Sequence, residues 1–355
     1  MSLRVLLLPV ALLYWAVTCL RNWLYNIRAL PSHSFAKPVI CVGNITVGGT
    51  GKTPVIEFVA SFLIAQGRRV AVVSRGYRRK TKGQVVASTD SSAQSIGDEP
   101  RQIKAHLPSA DVIVDANRAA AIDTAFARGA DVVLMDDGMQ HRAVSPSTLI
   151  LVCDYARPLW RDLPLPAGNK RESMYNRLRA DLVIVNKCPD SLTICEAESI
   201  FRHLSLNDGQ QILFTSISYG DLLSPDGQTF SDADLEANGA VAVAGIGRPE
   251  PFFDEVRRRV GNPDLPTLAY PDHHAFDDKD LQRIAELLDN AGPDSFLVTT
   301  EKDATRLPSR IGSHAVATLP IKLNVLFNDE QKLHDFITRR SSIPYTPCNT
   351  TTLNP

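Results

Sequence analysis

At 355 residues the chain exceeds what one hydrophobic core ordinarily serves, which predicts two domains. A formal charge of −1 excludes the basic surface that general nucleic-acid binding needs, so no nucleic-acid partner is expected. Six scattered cysteines without a CxxC pair exclude a zinc ribbon or a disulfide framework and fit a reducing compartment.

Residues 1–30 read as a hydrophobic segment. Between Arg4 and Arg21 there is no charge, yet the run is shorter than the roughly 20 apolar residues of a spanning helix and contains Pro9. Trp15, Trp23 and Tyr25, with Arg21 and Arg28, suit a headgroup interface. A secretory signal lacks a clean small-x-small cleavage site, and a buried core helix is the plainer alternative. A shallow membrane anchor is the preferred reading, with the rest of the chain in the cytoplasm.

From Pro38 onward short Val/Ile/Leu runs alternate with helical patterns. Strands are predicted at 38–42, 69–74, 111–114, 131–135, 148–152 and 181–185, near-continuous in Val, Ile and Leu rather than alternating, as parallel strands covered on both faces are. Helices are predicted at 54–66, stopped by Gly67, and at 117–128, stopped by Gly129. This is a doubly wound, mostly parallel α/β domain over 31–217. Residues 218–239, rich in Gly, Pro, Asp and Ser, read as a linker. A smaller α/β domain is predicted over 240–340, with strands 240–244 and 295–299 and helices 251–260, 278–288 and 329–339. A polar tail, 341–355, reads as disordered.

The first strand runs into Gly43-Asn-Ile-Thr-Val-Gly-Gly-Thr-Gly-Lys-Thr53 and then into a helix. Thr46, Val47, Gly48, Gly49, Thr50, Gly51, Lys52 and Thr53 form a phosphate-binding loop of the P-loop NTPase type. Glycines let successive N–H groups converge on phosphate oxygens, and the helix N-terminus adds its positive end. Lys52 would bridge the outer phosphates and the Thr53 hydroxyl would hold Mg²⁺. Thr46 stands where the usual pattern has glycine. The strand Asp131-Val-Val-Leu-Met delivers Asp136 and Asp137 to its end, the placement of a Mg²⁺-holding carboxylate. Asn186-Lys187 resembles the base-reading pair of nucleotide folds, but Cys188-Pro189 lacks the following Asp, and the pair is read as a structural turn.

Several separated motifs, in order, resemble the lipid A 4′-kinase family, from the N-terminal segment to about Leu307. They are the loop with its Pro54, Ser74-Arg-Gly-Tyr77, Gly97-Asp-Glu-Pro100 and Asp136-Asp-Gly-Met-Gln-His-Arg142. Leu165-Pro-Ala-Gly168 with Arg171-Glu172, Asn186-Lys-Cys-Pro189, Ala244-Gly-Ile-Gly-Arg-Pro-Glu250, Asp272-His-His274 and Thr300-Glu-Lys-Asp303 complete the set. In that family the loop begins with Ser or Thr, which accounts for Thr46. The resemblance implies ATP with Mg²⁺ as cofactors and transfer of the γ-phosphoryl group to the 4′-hydroxyl of tetraacyldisaccharide 1-phosphate. It also implies work at the cytoplasmic face of the bacterial inner membrane, with the membrane surface and the lipid as partners; no protein partner is evident.

By position in its motif, Asp98 matches the family's catalytic aspartate. His273 matches the histidine paired with it, which implies a dyad across the two domains; His274 could exchange roles with it. Glu99 is expected to add to the metal environment, and Arg75, Tyr77, Arg171 and Glu172 to meet the substrate. Asn169-Lys170 and Arg78 depart from the commoner residues in their motifs. The competing reading is a membrane-recruited ATPase or GTPase switch acting on a protein partner.

Overall fold

A computed structural model describes residues 6–224 and 227–342. The chain forms two compact units. Of the described residues, the first holds those up to Ser91, Ile103–Ser216 and those from Leu323; the second holds Ser92–Gln102 and those of Ile217–Lys322.

The elements in chain order begin with helix α1 (Leu8–Asn26), strand β1 (Val39–Gly43), helix α2 (Lys52–Ala65) and strands β2 (Val70–Ser74) and β3 (Val85–Val86). Helices α3 (Ala93–Ile96) and α4 (Asp98–His106), strand β4 (Asp111–Val114), helix α5 (Arg118–Ala127) and strands β5 (Val132–Asp136), β6 (Thr148–Asp154) and β7 (Leu182–Asn186) follow. Next come helix α6 (Ile194–Leu204), strands β8 (Gln211–Tyr219), β9 (Leu222–Leu223) and β10 (Thr229–Phe230), helix α7 (Asp232–Asn238), strand β11 (Ala240–Ala244) and helix α8 (Glu250–Val260). The chain continues through β12 (Thr267–Ala269), α9 (Asp278–Ala291), β13 (Phe296–Thr300), α10 (Glu301–Ala304), β14 (Arg310–Ile311), β15 (His314–Leu319), β16 (Ile321–Val325) and α11 (Glu330–Ser342).

The first sheet has the order β16-β8-β7-β6-β1-β5-β2-β4-β3. β1 lies parallel between β5 and β6, so the strand that enters the phosphate loop is central. All five of its residues, Val-Ile-Cys-Val-Gly, are buried, which explains an apolar run without alternation. The core on one face joins Val39, Cys41, Val133 and Met135 to Ala121 and Ile122 of α5 and Ala197 of α6. The second sheet, β10-β9-β15-β13-β11-β12 with β14 on β15, is parallel from β15 to β12. Its helices α8 and α9 line separate cores, Phe252 and Val256 in one and Ile284 and Leu288 in the other.

Three expectations change. Residues 218–239 are no irregular linker: they hold the end of β8, the β9–β10 hairpin and α7, whose Ser231 caps its first turn with Asp234. The helix assigned to the smaller domain, α11, belongs to the first unit, where His334 stacks on Phe62 of α2 at 4.0 Å and 4°. Asp98 falls in the second unit because residues 92–102 join it. The tail assigned to 341–355 lies outside the described residues beyond Ser342.

Helix α1 packs on the first unit by its polar side. The Tyr14 hydroxyl donates to the Arg171 carbonyl at 3.0 Å, Arg21 to the Gln140 carbonyl at 2.9 Å, and Arg142 to the Asn22 carbonyl at 2.9 Å. Ala11 and Asn22 are buried, whereas Val10, Leu12, Leu13, Val17 and Leu20 are exposed. Among the described residues no helix is long and apolar enough to cross a membrane.

Candidate active site

In the first unit, Gly48 (φ 95°) and Gly51 (φ 88°) adopt backbone that side chains disfavour, and α2 starts at Lys52 directly behind them. Pro54, in the first helical turn, removes no intrahelical bond. Thr50 is buried and its hydroxyl accepts from Asn44 at 3.2 Å, while Val47 N–H donates to the Asn169 carbonyl at 2.8 Å. Thr46 is buried and bridges to Lys170. The loop is therefore held by both side-chain and main-chain contacts.

At the end of β5, Asp136 accepts a hydrogen bond from the Ser74 hydroxyl at 2.9 Å. Asp137 sits between Lys52 Nζ at 3.4 Å and Arg171 Nη1 at 3.0 Å. Burial pushes the Asp137 carboxyl up, but Lys52 and Arg171 outweigh it and hold the group below the usual carboxylate range. The phosphate-loop lysine thus already faces an anion at the strand end that the sequence singled out.

Asn186 and Lys187 do more than turn the chain. Asn186, fully buried, donates from Nδ2 to the Thr50 carbonyl at 3.0 Å and accepts at Oδ1 from the Thr215 hydroxyl at 2.9 Å. Lys187, at φ 61°, donates to the Gly49 carbonyl and lies 3.5 Å from Asp154 Oδ2. Asp154 also takes Arg157 at 3.2 Å, and that guanidinium lies against Gly48. These groups brace the loop from beneath. The signal was the Asn-Lys pair at a strand end; its contact with the loop was missed.

In the second unit, His273 Nδ1 lies 2.9 Å from Asp98 Oδ2. His274 is engaged elsewhere, 2.6 Å from Asp280 and stacked on Tyr270 at 4.6 Å. The dyad is thus formed within one unit, because the segment carrying Asp98 folds with the later half of the chain; the expectation of a pair spanning two domains is corrected. Arg306 Nε stands 3.6 Å from Asp98, and Lys302 Nζ 3.2 Å from His273 Nε2. Burial raises the Asp98 carboxyl, but the His273 hydrogen bond, Arg306 and Lys302 together bring it below the usual 3.8. Lys302 lies in Thr300-Glu-Lys-Asp303 and Arg306 three residues beyond it; the sequence reading gave neither a role.

Of the residues expected to meet substrate, Arg75 and Tyr77 are exposed just beyond β2. Arg171 is occupied with Asp137. Glu172 faces inward at 3 % exposure: Asn176 donates to it at 2.9 Å, Arg179 lies 3.8 Å away, and burial raises its carboxyl. Glu99 follows Asp98 in the first turn of α4.

A buried strand that curls main-chain N–H groups above a lysine, and then continues as a helix, is the working part of the P-loop phosphotransferases. Within that class the chain belongs to the Tetraacyldisaccharide-1-P 4'-kinase (LpxK) family, which it matches over residues 3–342. It is 42 % identical over 342 residues to a tetraacyldisaccharide 4'-kinase of Porphyromonas gingivalis, covering 92 % of this chain and 94 % of that protein. A protein of the same name from Bacteroides thetaiotaomicron is 39 % identical over 350 residues, covering 93 % and 91 %. The crystal structure of "apo" form LpxK from Aquifex aeolicus in complex with ATP shares the fold at a TM-score of 0.75 and 29 % identity, covering 96 % of this chain and 99 % of that one.

Proposed function

We propose that the protein transfers the γ-phosphoryl group of ATP to the 4′-hydroxyl of tetraacyldisaccharide 1-phosphate, a step of lipid A synthesis, at the cytoplasmic face of a bacterial inner membrane. The observation that carries this reading is the pairing of Asp98 with His273 at 2.9 Å in a chain that also holds a phosphate loop. A nucleotide switch needs the loop but has no use for a second, oriented carboxylate. A phosphotransferase to an alcohol needs both.

In this mechanism the loop N–H groups and Lys52 hold the outer phosphates. Asp98, ionised and fixed by His273, accepts the proton of the attacking hydroxyl or orients it. Thr53 with Asp136 and Asp137 offers oxygen donors only, the set that suits a hard cation such as Mg²⁺. Among the described residues no three His, Cys, Asp or Glu side chains gather as a metal cage. When bound, Mg²⁺ neutralises charge on the transferring phosphoryl group.

Arg75, Tyr77 and Arg171 are assigned to the anionic headgroup. Glu172 acts from behind, buried against Asn176 and Arg179. The exposed face of α1 then lies in the membrane interface, where Leu and Trp side chains leave water and Arg28, just beyond the helix, meets headgroups.

The test is transfer of ³²P from γ-labelled ATP to tetraacyldisaccharide 1-phosphate in detergent micelles. Labelled lipid with the wild type and none with Lys52→Ala is the expected result. Phosphate release without labelled lipid would return the protein to the switch reading.

A further inference from the structure

The imidazole of His273 lies between two groups that each allow it one role. On one side is Asp98, whose carboxylate only accepts hydrogen bonds, 2.9 Å from Nδ1. On the other is the Lys302 ammonium, which only donates, 3.2 Å from Nε2. A proton on Nδ1 and a lone pair on Nε2 satisfy both neighbours; the opposite tautomer faces a lone pair to a carboxylate and an N–H to an ammonium.

The frame around these groups is built to hold them so. Lys302 is tied to Asp272 Oδ1 at 2.9 Å. The turn that carries it is locked by Asp303, which accepts from the Thr300 hydroxyl at 2.7 Å, from Gly245 N–H at 2.8 Å and from Arg306 at 2.7 Å. His273 takes a left-handed backbone, φ 61°, and its N–H donates to the Gly245 carbonyl at 3.2 Å. Asp303 and His273 thus grip the same glycine, and the ammonium and the imidazole are set by one scaffold. Asp272 Oδ1 is 3.9 Å from Nε2, beyond hydrogen-bond reach.

We propose that Lys302 is a positioning residue that fixes His273 as the neutral Nδ1–H tautomer, so that the imidazole serves Asp98 as a hydrogen-bond donor. Donation then runs one way, from Lys302 to His273 to Asp98. The carboxylate keeps its remaining lone pairs for the acceptor hydroxyl, and the histidine holds the base in place instead of storing its proton. Arg306, at 3.6 Å from Asp98, supports the same charge state.

The kinetic part of this inference rests on the kinase reading, whereas the tautomer does not. The experiment is two-dimensional ¹⁵N–¹H spectroscopy of full-length protein labelled at histidine, with His273 assigned by comparison with His273→Asn. The wild type is expected to show the Nδ1–H pattern. Lys302→Met is expected to change it to Nε2–H or to an exchange average, and Lys302→Arg to restore it. In the transfer assay, Lys302→Met should lower kcat about tenfold with the KM for ATP unchanged, and Lys302→Arg should recover most of the loss. A wild-type His273 that is Nε2–H or doubly protonated overturns the proposal, whether or not any variant folds. A folded Lys302→Met with an unaltered His273 pattern overturns it as well. Failure of the wild type to label lipid would overturn the kinase reading alone, and the spectra would still decide the tautomer.

Discussion

A Cβ placed on Gly51 would stand 2.1 Å from Asn186 Nδ2, so the last glycine of the phosphate loop and the asparagine at the end of β7 are fitted to each other. The same amide donates to the Thr50 carbonyl at 3.0 Å, one residue earlier. Gly51 is thus required twice, for its left-handed backbone and for the absence of a side chain. Asn186→Asp keeps the acceptor for Thr215 and sets a carboxylate oxygen against the Thr50 carbonyl. We expect it to weaken ATP binding about tenfold or more and to lose about 1–3 kcal/mol of stability. Calorimetric titration with ATP checks this; wild-type affinity would remove Asn186 from the loop's support.

Lys52 and Asp137 make the second prediction. Asp137→Asn leaves Lys52 and Arg171 without the anion that separates them. Transfer should fall by about 10²–10³ in kcat, the usual effect of losing one charged group from a phosphoryl-transfer site. Steady-state rates at saturating ATP decide it, and a variant within a factor of two of the wild type would exclude Asp137 from the chemistry.

Asp98 is held below its usual 3.8 by the His273 hydrogen bond, Arg306 and Lys302, against the effect of burial. A depressed carboxyl contributes its stabilisation fully above the unfolded value and loses it as pH falls through the folded one. Asp98 is therefore ionised throughout the neutral range. No loss of kcat between about pH 6 and 8 should trace to it, and a pH–rate profile whose acid limb in that range vanishes in Asp98→Asn would contradict this. Asp98→Asn itself should lower kcat by about 10²–10⁴ with the KM for ATP unchanged.

The outward face of α1 gives the fourth prediction. Leu12, Leu13 and Val17 are exposed, so changing all three to Ser leaves the packed side with Ala11 and Asn22 intact. Each such side chain is worth about 1.5–3 kcal/mol when fully taken out of water. The triple variant should lose sedimentation with anionic vesicles while keeping its ATP affinity. Unchanged sedimentation would move membrane attachment elsewhere.

Much of the fold was legible because its strands are apolar and buried on both faces. β1, β2, β4, β5, β6, β7, β11 and β13 lie within a residue or two of their predicted ranges at each end. Edge elements were not legible. Ile-Lys-Leu-Asn-Val of β16 alternates between partly buried and exposed residues, and its place beside β8 is set by chain crossings no local pattern encodes. The attachment of α11 depends on His334 meeting Phe62 far away in sequence.

The phosphate loop and the Asp136–Asp137 strand end could be read from residue types alone, since glycines, a lysine and carboxylates at strand ends have local causes. Asp98 and His273 could not: by pattern they are a helix start and a loop, and only the family resemblance drew them together. Asn186 was visible but misread, because its role depends on the end of β7 reaching the loop after β1 across the intervening β6.

The separation of 175 positions in sequence between Asp98 and His273 also bears on how the protein comes into being. A chain leaving the ribosome exposes the phosphate loop and its lysine early, while the partner of Asp98 is still unmade. Closing so long a loop is among the costlier entropic steps of folding. Asp98 is accordingly paired only once nearly four-fifths of the chain exists, and β16 and α11, which complete the first unit, are made later still. Synthesis itself keeps phosphoryl transfer for the finished enzyme.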